Sequence, residues 1–559
     1  MTDDNAPDRP DDAGRPEVSF PQEDPSRIAN APLPDSAHEM TPGRASGPPI
    51  RWLELIGVLS LITLADLAVY RGEGFAGFAL LFAAAPFLFW LSSSRRFTGT
   101  SFWVTGGMLL VLAAKLVWCG SAALVVIGFS WLVAFSMALA GFCPYVPELV
   151  TYAAQTIQAG ILAIIYYARR FSSISIGSRR GARMSFVLPI LAFLAFSCIF
   201  ILANPDLALT FGEGLQRVLD VLRGWIKHFS PEVLEICFWG AALWVVLGLL
   251  CPVFSGSTLS EVSSNGQKDV AVPPAESPLY HAFRNTLLTV IALFAVYLIF
   301  EFSTLWFREF PKGFHYSGYA HEGAAWLTAA LALATLTLSL VFRGGVLRDP
   351  RIVPLRRLAW IWSFENLVLA VAVYHRLFIY IGFNGMTPMR IMGLYGMTAV
   401  VVGFVLVLVK IARNRGFLWL IRRHLWTLAI AITLLMLTPR DTIVVEYNTR
   451  KILSGDPAPC VQISVQPISS EGVLLLKPLL ECDDEIIREG VAALLAERAI
   501  EAERTAAEQE RLGWTAYQIS DRMVLKRLRA DAALWSRYSD RETRNAALER
   551  FHKYAYQWY

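Results

Sequence analysis

Charge is scarce in this chain, and so is every pattern that marks a known chemistry. Only 17% of its 559 residues are Asp, Glu, Lys or Arg, and a net charge of +4 is too small to recruit nucleic acid. No Gly-rich phosphate loop, Ser nucleophile elbow or paired-Cys motif occurs. His321-Glu322 lacks the second His that a zinc-protease helix requires. The seven cysteines show no metal-ligand spacing, and no cofactor is expected. Cys119, Cys143, Cys198, Cys237 and Cys251 lie in or beside apolar segments, where a cysteine is a small core residue. Cys460 and Cys482 stand in a polar region and can pair as a disulfide only if that region faces an oxidising compartment. The charged-then-apolar pattern of a cleaved signal is missing, and no solenoid repeat is evident.

Apolar residues are abundant: 55% of the chain is hydrophobic. Many runs approach the ~20 residues that a spanning helix needs. Segments at 52–70, 75–91, 102–119, 122–141, 149–168 and 186–203 read as spans, followed by 234–252, 285–302, 323–342, 359–382, 391–411 and a short one at 425–437. The expectation is an all-α polytopic integral membrane protein with about 11–13 transmembrane helices and a mainly α soluble C-terminal domain. Residues 1–49 read as a disordered acidic tail, since Asp, Pro, Ala and Arg cannot bury enough surface to order themselves. An N-terminal transmembrane region covers 50–254 and includes an amphipathic surface helix at 207–229, where Leu recurs at helical spacing among Arg217, Arg223 and Lys227. A polar linker at 255–283 leads to a second transmembrane region at 284–439. In the final region, 440–559, strands are expected at 443–446 and 461–465 and helices at 484–511, 523–538 and 545–556. Asp66 and Lys115 are expected to reach the membrane interface from the ends of their segments.

Two basic loops set the orientation. One carries Arg343, Arg348, Arg351, Arg356 and Arg357; the other carries Lys410, Arg413, Arg415, Arg422 and Arg423. Both should face the cytoplasm of a bacterial inner membrane, which puts the region after Arg440 outside. Counting back makes the loop with Arg169, Arg170, Arg179, Arg180 and Arg183 cytoplasmic as well. The N-terminal half then does not close. Twelve spans put the acidic tail, Arg95 and Arg96 outside, so one of the first five segments is misassigned or the tail crosses.

With this orientation, polar groups gather near the outer face. Glu301 ends one span, and Tyr316, Tyr319, His321 and Glu322 open the next. His375, Arg376 and Tyr380 occupy the outer half of the 359–382 span, and Thr387 and Arg390 follow its end, whereas Glu365 lies near the inner end. Arg376 stands out because a guanidinium can hold a carboxylate or phosphate in two-point fashion. These groups are either paired, fixing helix register, or line a binding site.

The same residues carry a resemblance. Tyr316, Tyr319, Ala320, His321 and Gly323 resemble a helix-opening element of the bacterial membrane family called domain of unknown function 4153/4173, with His321 where Arg is commoner and Ala324 in place of an aromatic. Arg376, Tyr380, Gly385, Thr387 and Arg390 are similar to a second element, in which Asn384 and Met386 depart. Asn448 with Arg450 or Lys451 resembles a third, and the 513–517 stretch (Gly-Trp-Thr-Ala-Tyr) resembles a Trp-containing one. The resemblance implies a membrane fold and no established activity. Three functions are open: a non-catalytic envelope sensor or assembly partner, a transporter of a small anionic solute, and a membrane enzyme on a lipid-linked substrate using His321 or Glu322 as base. The absence of a catalytic constellation favours the first. The partners implied are the lipid bilayer and an unknown protein or small-molecule ligand.

Overall fold

The computed structural model describes residues 52–93, 99–173, 233–250, 278–303, 316–342, 346, 349–413 and 415–558, without the side chains of 168–173, 233 and 316–325. The tail at 1–49, the segment at 186–203, the amphipathic helix at 207–229 and most of the 255–283 linker lie outside these residues. The described residues are helical, with no strand among them.

Among the described residues, eleven apolar helices precede a helical C-terminal domain. They are α1 (Trp52–Ala65, continued by a π-turn at Asp66–Tyr70), α2 (Phe75–Ser92), α3 (Thr100–Trp118), α4 (Ala122–Leu139), α5 (Val146–Ser173), α6 (Val233–Leu250), α7 (Tyr280–Glu301), α8 (Tyr316–Val341), α9 (Ile352–Asn384), α10 (Pro388–Arg413) and α11 (Phe417–Leu437). Nine of the described helices are long and apolar enough to cross a membrane, while α6 and α8 contain shorter apolar stretches. Helices suit this role because every backbone donor and acceptor is satisfied within the segment.

Side-chain contacts fix which helix ends share a face. On one face, Arg71 after α1 binds Glu235 at the start of α6, and Lys115 near the end of α3 binds Glu471 of the C-terminal domain. We call this the domain face. On the other, Arg422 of α11 binds Glu148 of α5, Lys410 of α10 donates to Ser339 O of α8 at 3.2 Å, and Arg351 lies 4.6 Å over the Tyr280 ring of α7. Arg351, Arg356, Arg357, Lys410, Arg413, Arg415, Arg422 and Arg423 all belong to this basic face, while Arg343 and Arg348 lie outside the described residues.

These faces correct the count made from sequence. The first five segments all form helices and alternate in direction, so none is misassigned. Helix α5 starts on the basic face at Glu148 and ends on the domain face, which carries Arg169 and Arg170 away from the other basic residues. Helix α6 also starts on the domain face, at Glu235. Helix α1 ends on the domain face at Arg71, so its start lies on the basic face, opposite the C-terminal domain.

Two other boundaries shift. Helix α11 has 21 residues, starting before the 425–437 expected. Helix α9 has 33 residues, about 50 Å of helix. Glu365 therefore lies about 20 Å from its start instead of near the inner end.

The C-terminal domain contains α12 (Arg440–Leu453), α13 (Cys460–Val465), a 3-10 segment at Val473–Glu481, α14 (Glu485–Leu512), α15 (Ile519–Ala530) and α16 (Arg541–Ala555). Both expected strands are helical. The β-branched run at 443–446 looks like a strand in isolation, but α12 buries Val444, Val445, Asn448, Thr449 and Ile452 at helical spacing. Asp484 caps α14 by accepting from the amides of Ile486 and Ile487. Leu476, Leu495, Trp535 and Phe551 pack in the domain core. Cys460 and Cys482 are buried in it as free thiols, with no disulfide between them.

Candidate functional site

The turn between α9 and α10 is built around one glycine. Gly385 closes α9 at φ 79°, ψ −174°, a conformation open essentially to Gly alone, and its amide donates to Ile381 O at 2.9 Å. Pro388 then opens α10, where its missing N–H costs nothing. Thr387 Oγ1 accepts from the Arg390 amide at 3.2 Å. The Arg390 side chain folds back: Nη1 donates to Gly385 O, and the guanidinium stacks 3.8 Å from the Tyr380 ring centroid. A buried Arg390 thus ties the first turn of α10 to the end of α9.

One turn deeper, Arg376 Nε donates to Glu301 Oε1 at 2.6 Å and Nη2 donates to Glu301 Oε2. Tyr297 OH donates to Glu301 Oε2 at 2.9 Å. Glu301 is 0% exposed and Arg376 5% exposed, so this two-point pair is withdrawn from water. Arg376 and Tyr380 are one helical turn apart on α9, which puts the ion pair and the Arg390 stack on one side of that helix. His375 is half-buried beside them. Tyr316, Tyr319, His321 and Glu322 occupy the opening turns of α8 on the domain face, and their side chains lie outside the described residues.

The C-terminal domain grips this turn. Asn448 is fully buried; its Nδ2 donates to Met386 O at 2.9 Å and its Oδ1 accepts from Met386 N at 2.7 Å. Lys451 donates to Gly382 O at 2.8 Å, and Gln462 Nε2 donates to Asn384 O at 3.2 Å. These carbonyls close α9 and have no partner within the helix. A Cβ on residue 385 would come within 2.5 Å of Asn448 Oδ1, a second reason for glycine.

Two more turns are held the same way. Gln518 Nε2 donates to Leu116 O at 3.0 Å, and its Oε1 accepts from Gly120 N, across the α3–α4 turn. Thr515 Oγ1 accepts from Glu73 N at 3.2 Å at the α1–α2 turn, where Gly74 lies against Ala516. Gly513, which introduces this stretch, has φ 83° and ψ −166°. The 513–517 element is therefore a docking element.

The Domain of unknown function (DUF4153) family model matches residues 51–467. The chain belongs to the DUF4153 family. The match includes every described apolar helix, with α12 and α13, and so contains both sides of the Met386–Asn448 contact. It ends before α14 and the 513–517 element. No curated protein and no solved structure matches the chain.

Sequence reasoning placed Glu235 near an outer helix end but missed that Arg71 and Asp66 cluster with it. Asp66, expected to reach the interface, is buried; Trp239 Nε1 donates to its Oδ1 at 2.8 Å, and Arg71 Nε lies 3.1 Å from its Oδ2. Arg71 also binds Glu235. Long sequence separation between α1 and α6 hides this cluster, and no local pattern announces it. Lys115, also expected to reach the interface, binds Glu471 of the C-terminal domain.

Proposed function

We propose that this DUF4153 protein is a non-catalytic membrane sensor or assembly protein, and that its C-terminal helical domain is held on the non-cytoplasmic face of a bacterial inner membrane. The observation that carries the reading is the two-point hydrogen bond between Asn448 and the Met386 peptide. The polar residues chosen from sequence are spent on holding helices and domain together: Glu301 on Arg376, Arg390 on Gly385 and Tyr380. The basic face opposite the domain supports a cytoplasmic assignment for that side, because Lys and Arg accumulate in cytoplasmic loops.

The test is in-cell photocrosslinking from the domain surface, at the exposed position Leu534, in the intact chain and in Asn448→Ala. A defined crosslinked species that disappears when the grip is loosened supports the reading. A purified protein that instead drives solute uptake into proteoliposomes would replace it with transport. One observation favours that second reading: Asn366 Oδ1 and Glu365 Oε2, well inside α9, find no partner among the described residues. Loss of such uptake in Glu365→Gln would establish it.

A further inference from the structure

Two large aromatic side chains stand in the open where the C-terminal domain meets the membrane helices. Trp514 is 55% exposed and Tyr517 43% exposed, whereas Thr515, Ala516 and Gln518 are buried. The buried three hold helix ends. Thr515 and Ala516 lie against Glu73 and Gly74 in the turn before α2, and Gln518 bridges Leu116 O and Gly120 N. Trp118, the last residue of α3, stands between those two backbone groups and is itself exposed on the bundle. Trp and Tyr collect at the level of lipid headgroups because an apolar ring there carries a polar N–H or O–H. Trp118 marks that level on α3, and the bonds of Gln518 tie Trp514 and Tyr517 to the same turn.

The helix that follows is basic. It is α15, which packs on α3 and carries Arg522, Lys526, Arg527 and Arg529 against a single acid, Asp521. Asp521 accepts from Ser470 Oγ at 2.5 Å and from Gln509 Nε2 at 2.6 Å, and Arg529 lies 3.3 Å from Glu503. Arg522, Lys526 and Arg527 form no ion pair with a described residue. The Arg522 guanidinium sits 6.0 Å from the Tyr517 ring centroid, which places a cation beside the exposed aromatics. Val524, Leu525 and Leu528 of α15 are buried, so its outer face is left to Met523, Lys526 and Arg527. Basic groups without counter-ions, next to rings at the bilayer edge, match lipid phosphates. A protein partner would have to bring acidic groups into the headgroup layer.

We propose that this edge of the domain docks on the bilayer surface and binds anionic phospholipids. Trp514 and Tyr517 enter the headgroup layer, Arg522 holds a lipid phosphate, and Lys526 and Arg527 add attractive charge. The edge lies beyond residues 51–467 of the family match and adds a lipid contact to the grip of Asn448 on the α9–α10 turn. This surface goes beyond the proposed function. It needs only the contacts at Gly74 and Gln518, so it serves a domain on either side of the membrane.

The test uses the purified full-length protein in phosphatidylcholine nanodiscs that contain a minor share of photoreactive lipid. That lipid is phosphatidylglycerol, or phosphatidylcholine for comparison, with a diazirine next to the glycerol. After illumination and trypsin digestion, peptide 512–522 should carry phosphatidylglycerol in clear preference to phosphatidylcholine, and peptide 505–511 of α14 should carry neither. Arg522→Gln should lower that preference about fivefold, the equivalent of ~1 kcal/mol for one basic group at an anionic surface. Lys526→Gln with Arg527→Gln, at exposed positions, should lower it likewise and decides the matter if Arg522→Gln does not fold. Trp514→Ser with Tyr517→Ser should remove most of the label. Label on the membrane helices but not on 512–522, or equal labelling of 512–522 by the two lipids in the wild type, overturns the proposal. A photoreactive phenylalanine placed at Tyr517 that crosslinks in cells to a protein instead of lipid assigns the edge to a protein partner and overturns it too.

Discussion

Arg376 and Glu301 are stable inside the helix bundle only as a pair. Removing one partner leaves a charge in a site closed to water, at a cost of about 3–5 kcal/mol. Arg376→Met should therefore lower the melting temperature in detergent sharply, and Glu301→Leu likewise. The double substitution should recover most of the loss, because two apolar side chains need no compensation. A double variant no better than the worse single one would show that the pair does more than hold α7 to α9. Cys460 supplies a residue-scale prediction in the domain. Burial, then the charges of Asp484, Asp456 and Cys482, push its thiol from 9.0 up to about 12. The folded state therefore keeps a proton that the unfolded chain releases above pH 9, so stability is full below that pH and declines as pH rises toward 12. Chemical denaturation between pH 8 and 11 should show this decline, and Cys460→Ala should reduce it, leaving the part above pH 10 that the raised Tyr554 hydroxyl contributes.

At the scale of the element, the α9–α10 turn was legible in part. Thr387 and Arg390 stand just after an apolar span and were found as polar groups at its end, while Gly385 was reached through the family likeness and its backbone angles were not. Asn448 was accessible only through a family likeness, since nothing local says which turn it will meet. The Glu301–Arg376 partnership was legible as a gathering on one side, but its two-point geometry was not. The strands expected at 443–446 and 461–465 failed for a tertiary reason. Short β-branched runs carry little information on their own, and packing of α12 against the domain core and the turn decides for helix. The docking of α12 makes Asn448→Asp informative. It keeps the acceptor for Met386 N but loses the donor for Met386 O and adds a buried charge. Proteolytic release of the domain should accelerate strongly in Asn448→Asp. Gly385→Ala should do the same, with backbone strain of about 1–3 kcal/mol and a Cβ pressed onto Asn448. Unchanged protection in both variants would mean that the Gln518 and Thr515 contacts alone seat the domain.

For the whole molecule, direction is what the sequence could not settle. Hydropathy finds apolar runs, but it cannot say which helix ends lie together. Arg71 and Glu235, two residues on separate helices, show such a pair of ends on one face. Eight described Lys and Arg residues at the ends of α9, α10 and α11 lie opposite the C-terminal domain. Retention of such residues on the cytoplasmic side, as proposed above, predicts a domain outside. Two cysteines can test this in cells. Cys143, exposed between α4 and α5, marks the basic face; a cysteine at exposed Glu508 of α14 marks the domain. A membrane-impermeant maleimide should label Glu508→Cys in spheroplasts and reach Cys143 only after permeabilisation, with mass spectrometry assigning each label. The reverse order would put the domain in the cytoplasm while leaving every helix contact intact, because those contacts fix only which ends lie together. Labelling of both in sealed spheroplasts would contradict the alternation of α1 to α5 itself.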